Sequence, residues 1–454
     1  MKKTAQAKNK ENLKDILTKA QDDKRFIHFK EYCKLEFAKD EEYQAQYFYN
    51  GKYWEFIKIK KLISLIIDFF IDIGIPHNYS HAERLANYTI DRMQSIGKPN
   101  LDFIAFNNGV INRKTGEFLP HNKDYFLLSC IDIDYNLKRS ETINFNKWLD
   151  WVSKKDPIKR KTILAALYMI LGNFYQWQLF LEITGEGGSG KSVFNDIALM
   201  IAGEKNSASV NLKDLEKIST RTILLNKTFV FAPDQGKIKS DGAVLKGLTG
   251  EDMLLFEPKY VESFNAKIKA VFLITDNEPI IFTEHNGGIS RRRTLFLFAD
   301  KVPDNIKDDK LTDKIKLEIP DIIHLLINTF KDNPDEAKRL LEAQRDSKEA
   351  MAIKREVDHL LDFASYFETR ESCNGLKAGK SGGEATAIYS LYKIYCQALD
   401  EQPIKQRNFM KFFKNALKQH HHKEPYKEKT AARITITNVY LKDDWEIVRQ
   451  QWLS

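Results

Sequence analysis

The sequence predicts an α/β protein centred on a parallel sheet that carries a phosphate-binding loop. A mixed α/β module precedes the sheet, and a basic, winged-helix-like module follows it. Three observations lead there. Apolar runs at residues 180–184, 228–232 and 270–275 lack period-two alternation and are separated by polar helical stretches, as strands covered on both faces are. The glycine-rich segment Gly185-Glu186-Gly187-Gly188-Ser189-Gly190-Lys191-Ser192 joins the first run to an amphipathic stretch over 193–201. Residues 355–454 end as two helical patterns and a two-stranded ribbon, the order of a winged helix.

The chain has 454 residues, enough for two or three domains with cores of their own. The division expected is 1–140, 141–345 and 346–454. Residues 1 to about 25 are polar and lysine-rich, and read as a mobile lead-in. Asn50-Gly51, between Tyr47-Phe48-Tyr49 and Tyr53-Trp54-Glu55-Phe56, signals a hairpin, because both turn positions favour positive φ. Helical spacing over 60–73 closes at Gly74-Ile75-Pro76. A second helix is expected from an N-cap at Ser80, with Glu83 three residues on, to Ile96. Residues 101–135 return to strands and turns. Helical character resumes over 145–178, where Trp148, Trp151, Ile163, Leu164, Leu167 and Ile170 recur on one face. Beyond the central strands, 304–350 is helical. The last module pairs helices at 388–399 and 406–420 with strands at 433–437 and 439–441.

Composition excludes several classes. Apolar residues make up 43% and charged residues 30%, as in a globular chain. The longest apolar run, from Leu62, meets acids well short of membrane-spanning length. Met1-Lys2-Lys3 opens no apolar leader, so a cytoplasmic location without membrane partners is expected. Cys33, Cys130, Cys373 and Cys396 stand singly, without zinc-site spacing, and suit a reducing compartment. His420-His421-His422 reads as solvated surface. The net charge of +8 permits nucleic-acid binding without requiring it.

The loop segment matches G-x-x-x-x-G-K-[ST] in its required strand-to-helix setting. Glycines let successive N–H groups curve around an anion, and the helix start adds partial positive charge. Gly185, Glu186, Gly187, Gly188, Ser189, Gly190, Lys191, Ser192 and Val193 are therefore the expected nucleotide contacts. Lys191 would reach the β- and γ-phosphates, and Ser192 would contact Mg²⁺. Asp234, after the strand at 228–232, can hold the metal and polarise water, although Gln235 stands where a second acid would be usual. Asn277, after the third strand, can orient the lytic water; taken alone, an ordinary Asn-x-Pro turn is the better explanation of it. Ser290-Arg291-Arg292-Arg293 offers a guanidinium to a neighbouring subunit's phosphate, or a solvated basic face.

Taken in order, GEGGSGKS at 185–192, FVFAPD at 229–234, LKGLTGED at 245–252, FLITDNEP at 272–279 and SRRRTLFLF at 290–298 resemble the superfamily 3 helicases, in particular the phage/plasmid and poxvirus primase-helicase branch. The likeness extends to Phe106–Glu117, similar to the module preceding that family's ATPase, and to Leu391-Tyr392-Lys393-Ile394-Tyr395 in its C-terminal tail. It implies an AAA+-type P-loop ATPase, using ATP and Mg²⁺ in a homo-oligomeric, hexameric ring. Lys191 and Ser192 become the Walker A contacts and Asp234 the Walker B acid. Asn277 becomes the sensor, preceded by Asp276 where threonine is commoner. Arg292 is the first choice for the arginine finger and Arg291 the second. A hairpin in the segment after Lys246 would carry Lys259, Tyr260, Lys267 and Lys269 into the ring channel, gripping phosphates without reading sequence.

Lys411, Lys414 and Lys418 recur at helical spacing and form either a second candidate DNA surface or a solvated lysine face. The function expected is ATP-driven unwinding of duplex DNA in replication of a phage, satellite or plasmid, in the host cytoplasm. Single-stranded and forked DNA would be substrates, with a primase or polymerase as partner. An origin-binding initiator with little unwinding activity is the alternative, and it would add origin duplex as a ligand. A small-molecule kinase would need neither the arginine cluster nor the basic tail. RNA as the strand remains open. Asp132 and Asp134 form a lone acid pair, and no priming activity is expected from them.

Overall fold

The computed structural model describes residues 12–41, 45–135, 140–236, 238–258, 263–378, 386–431 and 434–453. At its centre lies a five-stranded sheet. We number its strands β1 (Phe180–Thr184), β2 (Ser207–Ser209), β3 (Phe229–Pro233), β4 (Val271–Thr275) and β5 (Arg293–Leu297). Their spatial order is β5-β1-β4-β3-β2, and every pairing is parallel. All residues of β1 and β4 are buried, because apolar clusters pack on both faces, which explains the unbroken apolar runs. The parallel arrangement places all five carboxyl ends along one edge, where an open α/β sheet binds its ligands. Strand β2, Ser-Ala-Ser, is too short and polar to announce itself in the sequence. It forms because β3 offers it an edge.

The helical stretch at 145–178 is two helices, Ile143–Ser153 and Pro157–Leu171. They part where Lys154 and Lys155 adopt φ of 54° and 58°. Asp156 then caps the second helix, accepting from the N–H groups of Ile158 and Lys159, with Pro157 in the first turn. The fully buried Ile163, Leu167 and Tyr168 share a core with Leu181 and Ile183 of β1 and with Ile322 and Leu326 of the helix Leu311–Phe330.

Ahead of this core, Ala45–Tyr49 and Trp54–Phe56 form the expected hairpin. Its loop is four residues, held by the Asn50 side chain accepting from the N–H groups of Lys52 and Tyr53. The hairpin pairs on to Phe37–Asp40, which is joined in parallel by Gln94–Ser95. Helices Ile59–Ile73 and Tyr79–Asp91 pack behind it. Two expectations need correction. The second helix is capped by Asn78, whose side chain accepts from His81 N–H, not by Ser80, and it stops at Asp91 because the chain turns into a strand. Residues 12–19 are helical, not a mobile lead-in, because Leu17 is fully buried in this core.

Residues 103–106, 109–112 and 118–119 form an antiparallel meander. Ile104, Phe106, Ile111 and Tyr135 join the core of the central sheet, so apolar packing runs continuously across residue 140.

In the last module, Ile388–Ala398 and Gln406–Gln419 bury an aromatic cluster around Phe363, Tyr392, Phe409 and Phe413. The ribbon differs from expectation. Glu428–Ala431 pairs with Ile434–Thr437 as a hairpin, while Val439–Leu441 turns away to pair with Phe367–Thr369. The histidine tract is not simply solvated surface. His420 is half-buried with Nε2 on the Leu361 carbonyl (2.9 Å), and only His421 is exposed. No helix among the described residues is long and apolar enough to cross a membrane.

Candidate functional site

The glycine-rich loop leaves β1 at its carboxyl end and enters the helix Lys191–Ala202. Two glycines are required by geometry. Gly185 has φ of 144°, and a Cβ there would lie 2.0 Å from the Phe298 carbonyl oxygen at the end of β5. Gly190 has φ of 104°, and a Cβ would meet Trp148 Nε1 and Val152 Cγ1, each at 3.0 Å. Trp148 Nε1 donates to the Gly190 carbonyl at 3.2 Å, and Val302 N–H donates to Gly188 at 3.0 Å. The loop is thus held from outside by the first central helix and by the segment following β5. Neither contact is announced by the motif.

Lys191 is buried. Its ammonium donates to the carbonyls of Gly185 (2.6 Å) and Glu186 (2.8 Å) and to Asn277 Oδ1 (3.0 Å). Burial pulls its pKa below the usual lysine value, and the carboxylates of Asp234 and Asp276 oppose that shift. Two sequence-predicted residues far apart in the chain, Lys191 and Asn277, are therefore in direct contact. The reason is topological. Strand β4 lies between β1 and β3, so the residues after Thr275 emerge next to the loop, with Asp276 N–H donating to Ile183 O at 3.1 Å. Asp234 follows β3, one strand further away. It is exposed, with φ of 46°, and its N–H donates to the Thr275 carbonyl at 2.9 Å. Gln235 is committed to structure, accepting from Leu212 N–H (2.7 Å) and donating to the Pro233 carbonyl (2.7 Å).

Of the remaining loop residues, Glu186, Gly187, Gly188 and Ser192 are exposed, Val193 is half-buried and Ser189 is buried. Among the described residues, three buried polar atoms around the loop have no hydrogen-bond partner: Ser189 Oγ, Asn195 Oδ1 and Asp276 Oδ2. Asn195, in the helix after the loop, donates its amide to Thr275 Oγ1 at 2.7 Å, tying that helix to the end of β4. Asn195 belongs to no motif legible in the sequence, and Asp276, inside the segment at 272–279, is legible there only as the residue preceding Asn277.

The three arginines separate into three environments. Arg293 is buried inside β5's first position and grips Glu182 of β1 through two bonds of 2.7 and 2.6 Å. Arg292 is also buried, with Nη1 on the Gly288 carbonyl at 2.7 Å; burial and the neighbouring Arg291 lower its pKa. Arg291 is exposed. Register aligns Arg293 with Phe180 and Leu297 with Thr184, so the triplet lies at the amino edge of the sheet, away from its own loop. The last module buttresses this segment. Ser290 Oγ bonds Gln419 Oε1 and Asn415 Nδ2 donates to the His285 carbonyl (3.2 Å), while Arg345 of the central division adds a bond from its Nη1 to the Arg291 carbonyl (2.8 Å).

Among the predicted DNA contacts, Lys259 and Tyr260 lie outside the described residues. A hairpin of Leu254–Phe256 and Phe264–Ala266 does precede β4. Lys267 and Lys269 lie at its foot and line, with Lys98 and Lys227, a cavity of about 480 Å³ beneath the N-terminal strands. Lys411 and Lys418 are exposed on their helix. Lys414 is engaged internally, with its ammonium 3.1 Å from Glu428 Oε2 and 4.6 Å from the Tyr426 ring centre.

Comparison with known proteins follows the same outline. Residues 183–293, from the end of β1 to the start of β5, match the "Family of unknown function (DUF5906)". Residues 23–154 match the family described as "D5 N terminal like". Two solved structures, "The A form apo structure of NrS-1 C terminal region-CTR" and "The apo structure of NrS-1 C terminal region (305-718)", are similar over 91% of this chain and 98% of theirs. Their identities to it are 12% and 13%, and their TM-scores 0.52 and 0.51. The fold is shared with that region. The chain is thus similar in part to a D5-type family and, in overall architecture, to the NrS-1 C-terminal region.

Proposed function

We propose that this chain is a phage-type primase-helicase protein acting as an ATP-driven DNA helicase, built on an AAA+-type core of the superfamily 3 kind. One observation carries the reading: the Lys191 ammonium sits where the glycine loop meets Asn277, within the field of two carboxylates, at the carboxyl edge of a parallel sheet. A buried lysine folded on to its own loop carbonyls is poised to exchange them for phosphate oxygens. The three unpartnered polar atoms beside it fit a polar ligand. The "D5 N terminal like" match ahead of the loop supports the primase-helicase branch.

The chain's own groups divide the work. Backbone N–H groups of residues 185–190 bind the phosphates, Lys191 contacts the β- and γ-phosphates, and Asn277 orients the attacking water. Ser192 and Asp234 would hold Mg²⁺, which when bound neutralises phosphate charge. Strand length separates the arginines from this chemistry. A five-residue strand spans roughly 17 Å, beyond the reach of a guanidinium at its amino end. The arginine that serves this loop therefore comes from another copy of the chain in a ring, for which a hexamer is the proposed size. Arg291 fits that role better than Arg292, because it is exposed while Arg292 is turned inward. Lys411 and Lys418 would meet DNA phosphates, while Lys414 serves the module's own packing.

The test compares ATP hydrolysis by wild type, Lys191→Ala and Arg291→Ala, with and without single-stranded DNA, and strand displacement on a fork. Each variant alone is expected to lose at least about 1,000-fold in turnover, with Arg291→Ala still binding ATP. Mixing the two is expected to restore part of the activity, since a ring then pairs intact loops with intact arginines. Failure of mixing to restore hydrolysis refutes the trans arrangement. Hydrolysis without unwinding points to the origin-binding initiator.

A further inference from the structure

We propose that Asp276 is the second carboxylate of the hydrolytic centre, accepting the proton of the water that attacks the γ-phosphorus. The assignment rests on the ATPase reading above. It answers a deficiency in the sequence, where Asp234 is followed by Gln235 and not by another acid. Gln235 cannot substitute, because both ends of its amide are engaged with the backbone of residues 210–212 and 233.

Asp276 has what that role needs. It is 5% exposed and lies directly after β4, the strand neighbouring the loop strand. Its backbone N–H is anchored to Ile183, two residues before Gly185. One carboxylate oxygen, Oδ1, accepts from Asn277 N–H at 2.6 Å, which fixes the side chain. The other, Oδ2, is buried and has no hydrogen-bond partner among the described residues. A half-satisfied buried carboxylate is costly to keep, and such a cost is retained where the free oxygen has work to do. Its charge also reaches Lys191, the group that marks where the γ-phosphate lies. Asp276 and Asn277 together give an acceptor and an amide side by side on one turn.

In the step proposed, the water oxygen forms a bond to the γ-phosphorus, and the bond from that phosphorus to the bridging oxygen breaks. The electron pair leaves on ADP, and the water's proton passes to Asp276 Oδ2. Asp234, exposed one strand away, is left to the cation.

The test uses the full chain with Asp276→Asn, which retains the acceptor for Asn277 N–H, and Asp276→Thr, which is smaller and neutral. Binding of a fluorescent ATP analogue is measured with and without Mg²⁺, alongside single-turnover ATP hydrolysis and thermal unfolding. Loss of general-base catalysis is expected to slow hydrolysis about 100-fold or more, with analogue affinity within about threefold of wild type in both conditions. Hydrolysis near the wild-type rate in either variant overturns the proposal, as does loss of the fold in both, which would mark Asp276 as framework. If wild type itself neither binds nor hydrolyses ATP, the ATPase reading fails first. If Asp234→Asn is inactive while Asp276→Asn is not, only the present assignment falls.

Discussion

Arg293→Met should destabilise the central domain strongly, although its two arginine neighbours sit in the same motif. Arg293 and Glu182 are 5% and 0% exposed at their side chains, and they meet through two charge-assisted bonds of 2.7 and 2.6 Å. Arg293 Nη2 also donates to the Ile280 carbonyl at 3.0 Å, and Glu182 Oε1 accepts from Ile280 N–H at 3.0 Å. Methionine keeps most of the apolar stem beside the Phe282 ring but removes the charge. Glu182 then stays buried with a single N–H partner. Breaking a buried pair from one side costs about 3–5 kcal/mol, because an uncompensated charge remains. For a domain of this size that lowers Tm by about 10 °C. Thermal and urea unfolding of Arg293→Met and of the double variant Glu182→Leu/Arg293→Met measure it. The double variant should recover most of the loss, since removing both charges leaves none unpaired. A single variant within about 1 kcal/mol of wild type, or a double variant no better than the single, would refute the argument.

Two further outcomes follow from named contacts. Gly185→Ala forces a Cβ to within 2.0 Å of the Phe298 backbone oxygen, just past β5, at a φ of 144°; ATP-analogue binding should fall at least about tenfold, a loss of about 1.4 kcal/mol, while far-ultraviolet circular dichroism stays close to wild type. Unchanged affinity would show that the loop can move off β5 freely. His420 has its pKa pushed down to about 4, first by burial, so between the ordinary value near 6.5 and 4 the unfolded chain binds the proton and the folded chain does not. Stability should therefore fall as pH drops through that window, by up to about 3 kcal/mol. His420→Gln, which retains a donor for the Leu361 carbonyl, should flatten the dependence in denaturant titrations at pH 7 and pH 5; an unchanged slope would assign it to other groups.

The loop was legible because its chemistry is local. Consecutive residues surround the phosphate, so spacing along the chain is also geometry in space. The same holds for the Asn50-Gly51 hairpin and for the runs that became β1, β3 and β4. Where prediction missed, a distant partner decided the outcome. Ser80 is a sound N-cap residue, but Asn78 reaches the free N–H groups first. Residues 12–25 look like a solvated tail until Leu17 finds a core to enter. Lys414 shares helical spacing with Lys411 and Lys418, yet Glu428 on the following hairpin claims its charge.

What the residue order alone determined was a glycine loop ending in Lys191, strands buried on both faces, and a tail whose basic residues outnumber its acids. These depend on neighbours within a few positions or on composition. Only the folded chain decided that β4 inserts between β1 and β3, bringing Asn277 and Asp276 to the loop and leaving Asp234 one strand away. It also decided that three consecutive arginines divide into an exposed one, an inward-turned one and a buried ion pair. Strand order and burial are set by packing between segments distant in sequence, and local spacing carries no record of which segment will arrive alongside.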